Sequence, residues 1–142
     1  LIGGRWTGHD EASKILEQIV SEVARDEVVA GAMIAAARDV VLDMRDRAPR
    51  RSPAPDMADS IAVARSTEGA EDGVVVVKIG PRRSAAHSWI AKLIEFGTSK
   101  MPAQPFMRPT WDEYEQGFSN RIAAAMQPAY KRAVARYARR TA

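Results

Sequence analysis

The side chains able to do chemistry are few, and they do not converge along the chain. His9 and His87 are the two histidines, far apart and with no metal-ligand pattern near either. A metal site needs neutral imidazoles or carboxylates brought together from several elements, and nothing in the spacing proposes one. Both histidines read as ordinary surface or partly buried residues. The absence of cysteine removes disulfides and cysteine–zinc centres. No glycine-rich phosphate loop or nucleophile elbow is present. Glu95 is the one acid in an apolar neighbourhood, between Leu93-Ile94 and Phe96. Two roles are open to it. It could be a general acid with a pKa raised by burial, or it could accept hydrogen bonds from loop amides or pair with an arginine such as Arg108. A lone carboxylate makes a weak case for catalysis, so no catalytic residue, metal or cofactor is expected.

The second chemical feature is cationic. Arg132, Arg136, Arg139 and Arg140, with Lys131, crowd the C-terminal end, and no acid follows Glu115. Positive charge suits a helix C-terminus, which accounts for one or two of them. The others could meet phosphates, with steeply salt-dependent binding. They could equally meet an acidic surface on another subunit, such as the first helix with Glu17, Glu22, Asp26 and Glu27. The net charge of +3 does not by itself argue for nucleic acid.

Glu95 has to be positioned by residues 94–111, the stretch richest in constrained and aromatic residues. Gly97 can take φ > 0 and reverse the backbone. Pro102, Pro105 and Pro109 each fix φ and bias the preceding residue toward extended geometry, so Lys100–Arg108 is expected to be an extended connection. Phe96, Phe106 and Trp111 are expected to pin it to a core, with Phe96 and Phe106 both buried. Pro109 suits the first position of a following helix, with Asp112, Glu113 and Glu115 near its positive end.

This stretch resembles the signature of the phage tail-completion, or neck, family of long-tailed phages and prophages. The resemblance rests on Glu95-Phe96-Gly97-Thr98, followed by Pro102-Ala103-Gln104-Pro105-Phe106-Met107-Arg108-Pro109. Family members carry a hydrophobic-Glu-Phe-Gly-Thr turn, then Ala-x-Pro-Phe-hydrophobic-Arg-Pro-Ala, then a helix. The likeness extends loosely over about 28–127. Around 48–61 the chain keeps Ala48-Pro49 and Ser60-Ile61 but has Ser52-Pro53 where the family has Thr-Gly, which implies a different loop conformation.

The remaining elements follow from periodicity. Residues 1–9 read as an irregular arm. Leu16, Ile19, Val20 and Val23, then Ala30, Met33, Ile34, Ala37, Val40, Val41 and Met44, recur at helical spacing. One long bent helix over 11–47, or two breaking near 26–31, is expected, its solvated face carrying Arg38, Asp39, Asp43, Arg45 and Asp46 in ion pairs at three- and four-residue spacing. Residues 48–59, with three prolines, read as a mobile loop. Ile61–Ser66 and Val74–Ile79, joined through Gly69 and Gly73, read as a β-hairpin whose four-valine run needs burial or an intersubunit contact. Ala85–Phe96 is expected to hold a short helix ending at Gly97, with a strand as the alternative. Trp111, Tyr114, Phe118, Ile122, Ala125 and Met126 mark a C-terminal helix that Pro128 kinks or ends, with 128–142 a basic helical end.

The expected fold class is α+β in a single domain over 1–142: a long N-terminal helix, a hairpin, a short helix, a proline-rich turn and C-terminal helices. No uninterrupted apolar run is long enough for a membrane span, and no membrane partner is expected. The resemblance implies a non-enzymatic virion protein of the head–tail interface, made in the host bacterial cytoplasm. It would form a cyclic homo-oligomer, a hexamer, around the DNA channel and contact neighbouring neck and tail proteins. The competing reading is a small nucleic-acid-binding protein using the basic C-terminal helix.

Overall fold

The computed structural model describes residues 9–50, 57–71, 73–82 and 88–139. The N-terminal arm, apart from His9, and most of the proline-rich loop after Arg50 lie outside the described residues. The architecture is α+β, a two-stranded antiparallel sheet with helices.

The N-terminal helical stretch divides into three. Helix α1 spans His9–Val23, α2 Asp26–Ala36 and α3 Arg38–Arg47. The break falls at Ala24-Arg25, slightly before the expected 26–31. Arg25 is extended at φ −58°, ψ 135°, and its carbonyl takes the amides of Val28 and Val29. Asp26 and Glu27 then occupy the positive end of α2. At Ala37 the chain bends without leaving helical geometry. Its N–H still reaches the Met33 carbonyl, and its own carbonyl accepts from Val41, both at 3.0 Å. Thus α2 and α3 form one bent rod. Ala48 turns extended, as the residue before Pro49 must.

Helix α4, a single turn over Met57–Ser60, leads into strand β1, Ile61–Ser66, which pairs with β2, Val76–Pro81. The register runs from Ile61↔Pro81 to Ser66↔Val76. Met57 and Ala58 are buried, so the end of the stretch read as a mobile loop is an anchored element. β2 begins at Val76, not Val74, and Val74 is exposed. The valine run therefore is not buried throughout within one subunit. Arg45, assigned from sequence to a solvated face, instead clamps the hairpin to α3. Its Nε and Nη2 donate to the Ile61 carbonyl at 2.9 and 2.7 Å.

Helix α5, Ile90–Phe96, precedes the proline-rich turn, and α6 runs Met107–Ala138. α6 does not end at Pro128. The proline and Ala124, whose carbonyl it leaves without a helical donor, are both exposed, so water can serve the carbonyl. Beyond the proline Ala133 is buried and Arg136 pairs with Glu22 of α1, so tertiary packing carries the helix past that point. Arg121–Asp39 at 2.9 Å and Arg47–Glu113 at 2.6 Å place α3 antiparallel to α6. Small buried residues, Ala30, Ala32, Ala36 and Ala133, allow close helix approach. The core gathers Val40, Val41 and Met44 from α3, Met57 and Ile61, Ala91 and Ile94 from α5, and Phe106.

Candidate functional site: the Glu95 junction between α5 and α6

The first four N–H groups of any helix lack partners within it. For α6 these belong to its N-cap Phe106 and to Met107, Arg108 and Pro109. Glu95, at the end of α5, supplies the missing acceptor. One carboxylate oxygen accepts from the amides of Phe106 at 2.8 Å and Met107 at 3.0 Å. The other accepts from the Arg108 amide at 3.0 Å and its Nε at 3.1 Å. The fourth position is Pro109, which has no N–H to satisfy. Pro109 is thus the third helical residue, not the first as expected from sequence, and Asp112, Glu113 and Glu115 lie beyond the first turn. Glu113 serves another purpose, a two-pronged pairing with Arg47 at 2.6 Å per contact. Thr110, fully buried, donates its hydroxyl to the Phe106 carbonyl at 2.7 Å.

Glu95 is only 3% exposed. Burial by itself would push its pKa up. The amides of Met107, Arg108 and Phe106, with the Arg108 side chain, outweigh that and hold the carboxyl below its ordinary range. The general-acid role, which needed a raised pKa, is therefore not supported, and the acceptor role is what the geometry shows.

The turn between the helices is built as its residues require. Gly97 has φ 74°, ψ −180°, a region open essentially to glycine alone. A Cβ there would sit 2.7 Å from the Ala103 nitrogen and 2.9 Å from the Met101 oxygen. Thr98 and Met101 form an isolated bridge, and the Gln104 amide returns to the Ile94 carbonyl at 2.8 Å. Pro102 and Pro105 are exposed within the irregular segment. Phe106 is 2% exposed, the largest fully buried side chain. Phe96 departs from expectation. It is 65% exposed, with the Arg108 guanidinium 4.6 Å from its ring centroid. Successive helical residues point about 100° apart. With Ile94 and Glu95 turned inward, Phe96 must face out.

Among the described C-terminal arginines, one has a partner within the subunit. Arg136 pairs with Glu22 of α1 within the same subunit. Arg132 and Arg139 are exposed, and Arg140 lies outside the described residues. The attraction expected between the acidic N-terminal and basic C-terminal helices of different subunits is, for this pair, used within one. Sequence reasoning missed Arg45 and Thr110. Arg45 carried no signal beyond its charge, whereas Thr110 four residues after Phe106 has the spacing of a hydroxyl bonding back to a helical carbonyl.

Among the described residues no group of three His, Cys, Asp or Glu could hold a metal ion, and no helix is long and apolar enough to cross a membrane. His87 and the His9 side chain lie outside what is described. An apolar cavity of about 390 Å³ lies between α2, α3, β2 and α6, lined by Met33, Met44, Ile79, Met107, Trp111 and Phe118.

No curated protein and no solved structure matches the chain. The family model described as "Bacteriophage HK97-gp10, putative tail-component" matches residues 10–97. That span starts earlier than the likeness read from sequence and stops sooner. It takes in α1 to α5 and the Glu95-Phe96-Gly97 half of the signature, while the Pro-Phe-Met-Arg-Pro half lies beyond it. The match covers well over half of the chain, which belongs to the HK97-gp10-like family of phage tail components.

Proposed function

We propose that the protein is a structural subunit of the head–tail interface, where it completes the tail or joins it to the capsid around the DNA channel. Membership of a phage tail-component family carries this reading. The Glu95 junction is consistent with it, because the one acid that sequence offered for catalysis spends its acceptor capacity on the start of α6. In this proposal the chain acts as a single structural unit without enzymatic activity. It assembles into a homo-oligomeric ring, a hexamer, and sits in the virion at the head–tail junction against neighbouring neck and tail proteins. A heterologous contact that closes on itself generates such a ring. The exposed Arg132 and Arg139 at the end of α6 would then face the phosphates of the DNA passing through.

The test is genetic. A phage or prophage lacking only this protein is expected to accumulate filled heads and separate tails in electron micrographs, with joining restored by adding the purified protein. Joined, infectious particles in its absence would overturn the proposal. Salt-dependent retention of DNA by isolated subunits, with particle assembly unaffected by the deletion, would favour the nucleic-acid-binding reading.

A further inference from the structure

The hairpin has acids at one end and cations at the other. Lys78 on β2 pairs with Glu68 of the turn at 2.5 Å, which leaves Glu71 and Asp72 as the further acids before β2, whereas between Lys78 and Glu95 the chain carries Arg82, Arg83 and Lys92 and no acid. Glu68 and Glu71 belong to the turn at the tip, and both are exposed. Arg82 follows the last residue of β2, and Lys92 of α5 lines the same groove as Gly80 and Pro81. Of the acids near the base, Asp59 of α4 pairs with Arg50 at 3.5 Å, and Glu95 is buried and holds the start of α6.

Each end also exposes apolar surface. At the base, a groove of about 420 Å³ lies between β2 and α5, bounded by Ile79, Gly80, Pro81, Trp89, Lys92 and Phe96. Trp89 is 62% exposed, and Trp89, Leu93 and Phe96 recur at four and three residues, so an apolar face of α5 is open. Arg108 stacks on Phe96, orienting the ring at the groove. At the tip, Val74 is 47% exposed beside the acidic turn.

We propose that the groove between β2 and α5 receives the acidic hairpin tip of a second copy of this chain, with Val74 among the apolar side chains and the exposed Glu71 against Arg82 and Lys92. A subunit cannot fill its own groove, because six paired residues separate tip from base by roughly 20 Å at about 3.3 Å per residue. The contact joins two different surfaces, so it repeats head to tail and can close into a ring. It rests on the ring reading above and names the junction. Opposed charge sets register and encounter rate, while the aromatic groove supplies affinity.

The experiment uses two full-length variants at exposed positions, Trp89→Asp in the groove and Val74→Asp at the tip, each checked for a wild-type thermal melt. Sedimentation velocity is then run on wild type, on each variant, and on their equimolar mixture. Wild type is expected to assemble. Each variant alone remains monomeric, its junction weakened at least about 30-fold, as for loss of a binding hot spot. The mixture contains one intact groove and one intact tip and should stop at dimers. A variant that assembles like wild type, or a mixture of folded variants that stays monomeric, overturns the junction while leaving the ring standing. Wild type that stays monomeric at the highest attainable concentration overturns both. A Trp89→Asp protein that assembles normally but fails to join heads to tails would show that the groove takes another neck protein, which also refutes the proposal.

Discussion

Replacing Glu95 by Gln tests the junction most directly. The carboxylate serves three backbone amides and the Arg108 side chain from a position 3% exposed. Hydrogen bonds to a charged group contribute about 1.5–3 kcal/mol each, but these share one acceptor and do not add. Gln keeps the shape and one accepting oxygen, and turns its NH₂ toward the remaining donors. The loss is therefore expected to be about 2–4 kcal/mol, more than an ordinary helix cap. At about 3 °C per kcal/mol for a chain of this size, the melting temperature should fall by roughly 6–12 °C. The pH dependence supplies a second signature. The folded pKa of Glu95 lies below its unfolded value of 4.5. Its stabilisation is thus complete above that value and is lost as pH falls through the folded pKa. The gap between wild type and variant should stay constant from pH 7 to pH 5 and narrow below 4.5. Urea melts over this range are the assay. A loss under about 1 kcal/mol, smaller than a single charged hydrogen bond, would refute the account of the junction, as would a gap that does not change down to about pH 3.

Gly97→Ala should destabilise by at least about 1–3 kcal/mol, the cost of strained backbone, because φ is +74° and the new Cβ meets backbone at 2.7 Å. Gly117→Ala in α6, where a Cβ meets nothing within 4 Å, should instead stabilise by about 0.5–1 kcal/mol, and opposite signs in paired denaturant melts are the check. Phe106→Ala is expected to cost about 3–5 kcal/mol as a core truncation, whereas the exposed Phe96→Ala should stay within about 0.5 kcal/mol of wild type; equal losses would contradict the placement of the two rings. Arg136→Glu places a second carboxylate beside Glu22 and should lower the melting temperature, less so in high salt, while Arg132→Glu should leave it unchanged. The reverse ranking in thermal melts would mean that the α1–α6 pairing is not what Arg136 contributes.

The amino-acid sequence alone determined the features that depend on neighbours along the chain. The apolar period of α1 to α3, the hairpin around Gly69 and Gly73, the short helix ending at Gly97 and the glycine's positive φ all follow from local sterics and side-chain spacing. The motif from Glu95 to Pro109 shows an acid, a turn and a helix start in order, but leaves open whether the acid is a general acid or an acceptor, and it places Pro109 two residues too early in the helix. Tertiary structure decided which way each ambiguous face turns. Helix α5 is Ile-Ala-Lys-Leu-Ile-Glu-Phe, apolar on most of its circumference, so its pattern cannot say whether Glu95 or Phe96 goes inward. The choice falls to Glu95 because the unpaired amides of α6 lie on that side and a buried unsatisfied donor costs more than an exposed ring. The same holds for charge. Arg45, Arg136 and Glu113 look alike in a list of surface ions. Only the packing of β1 on α3, of α1 on α6 and of α3 antiparallel to α6 selects the Ile61 carbonyl, Glu22 and Arg47 as their respective partners, because such contacts join residues far apart in sequence that no local period can bring into register.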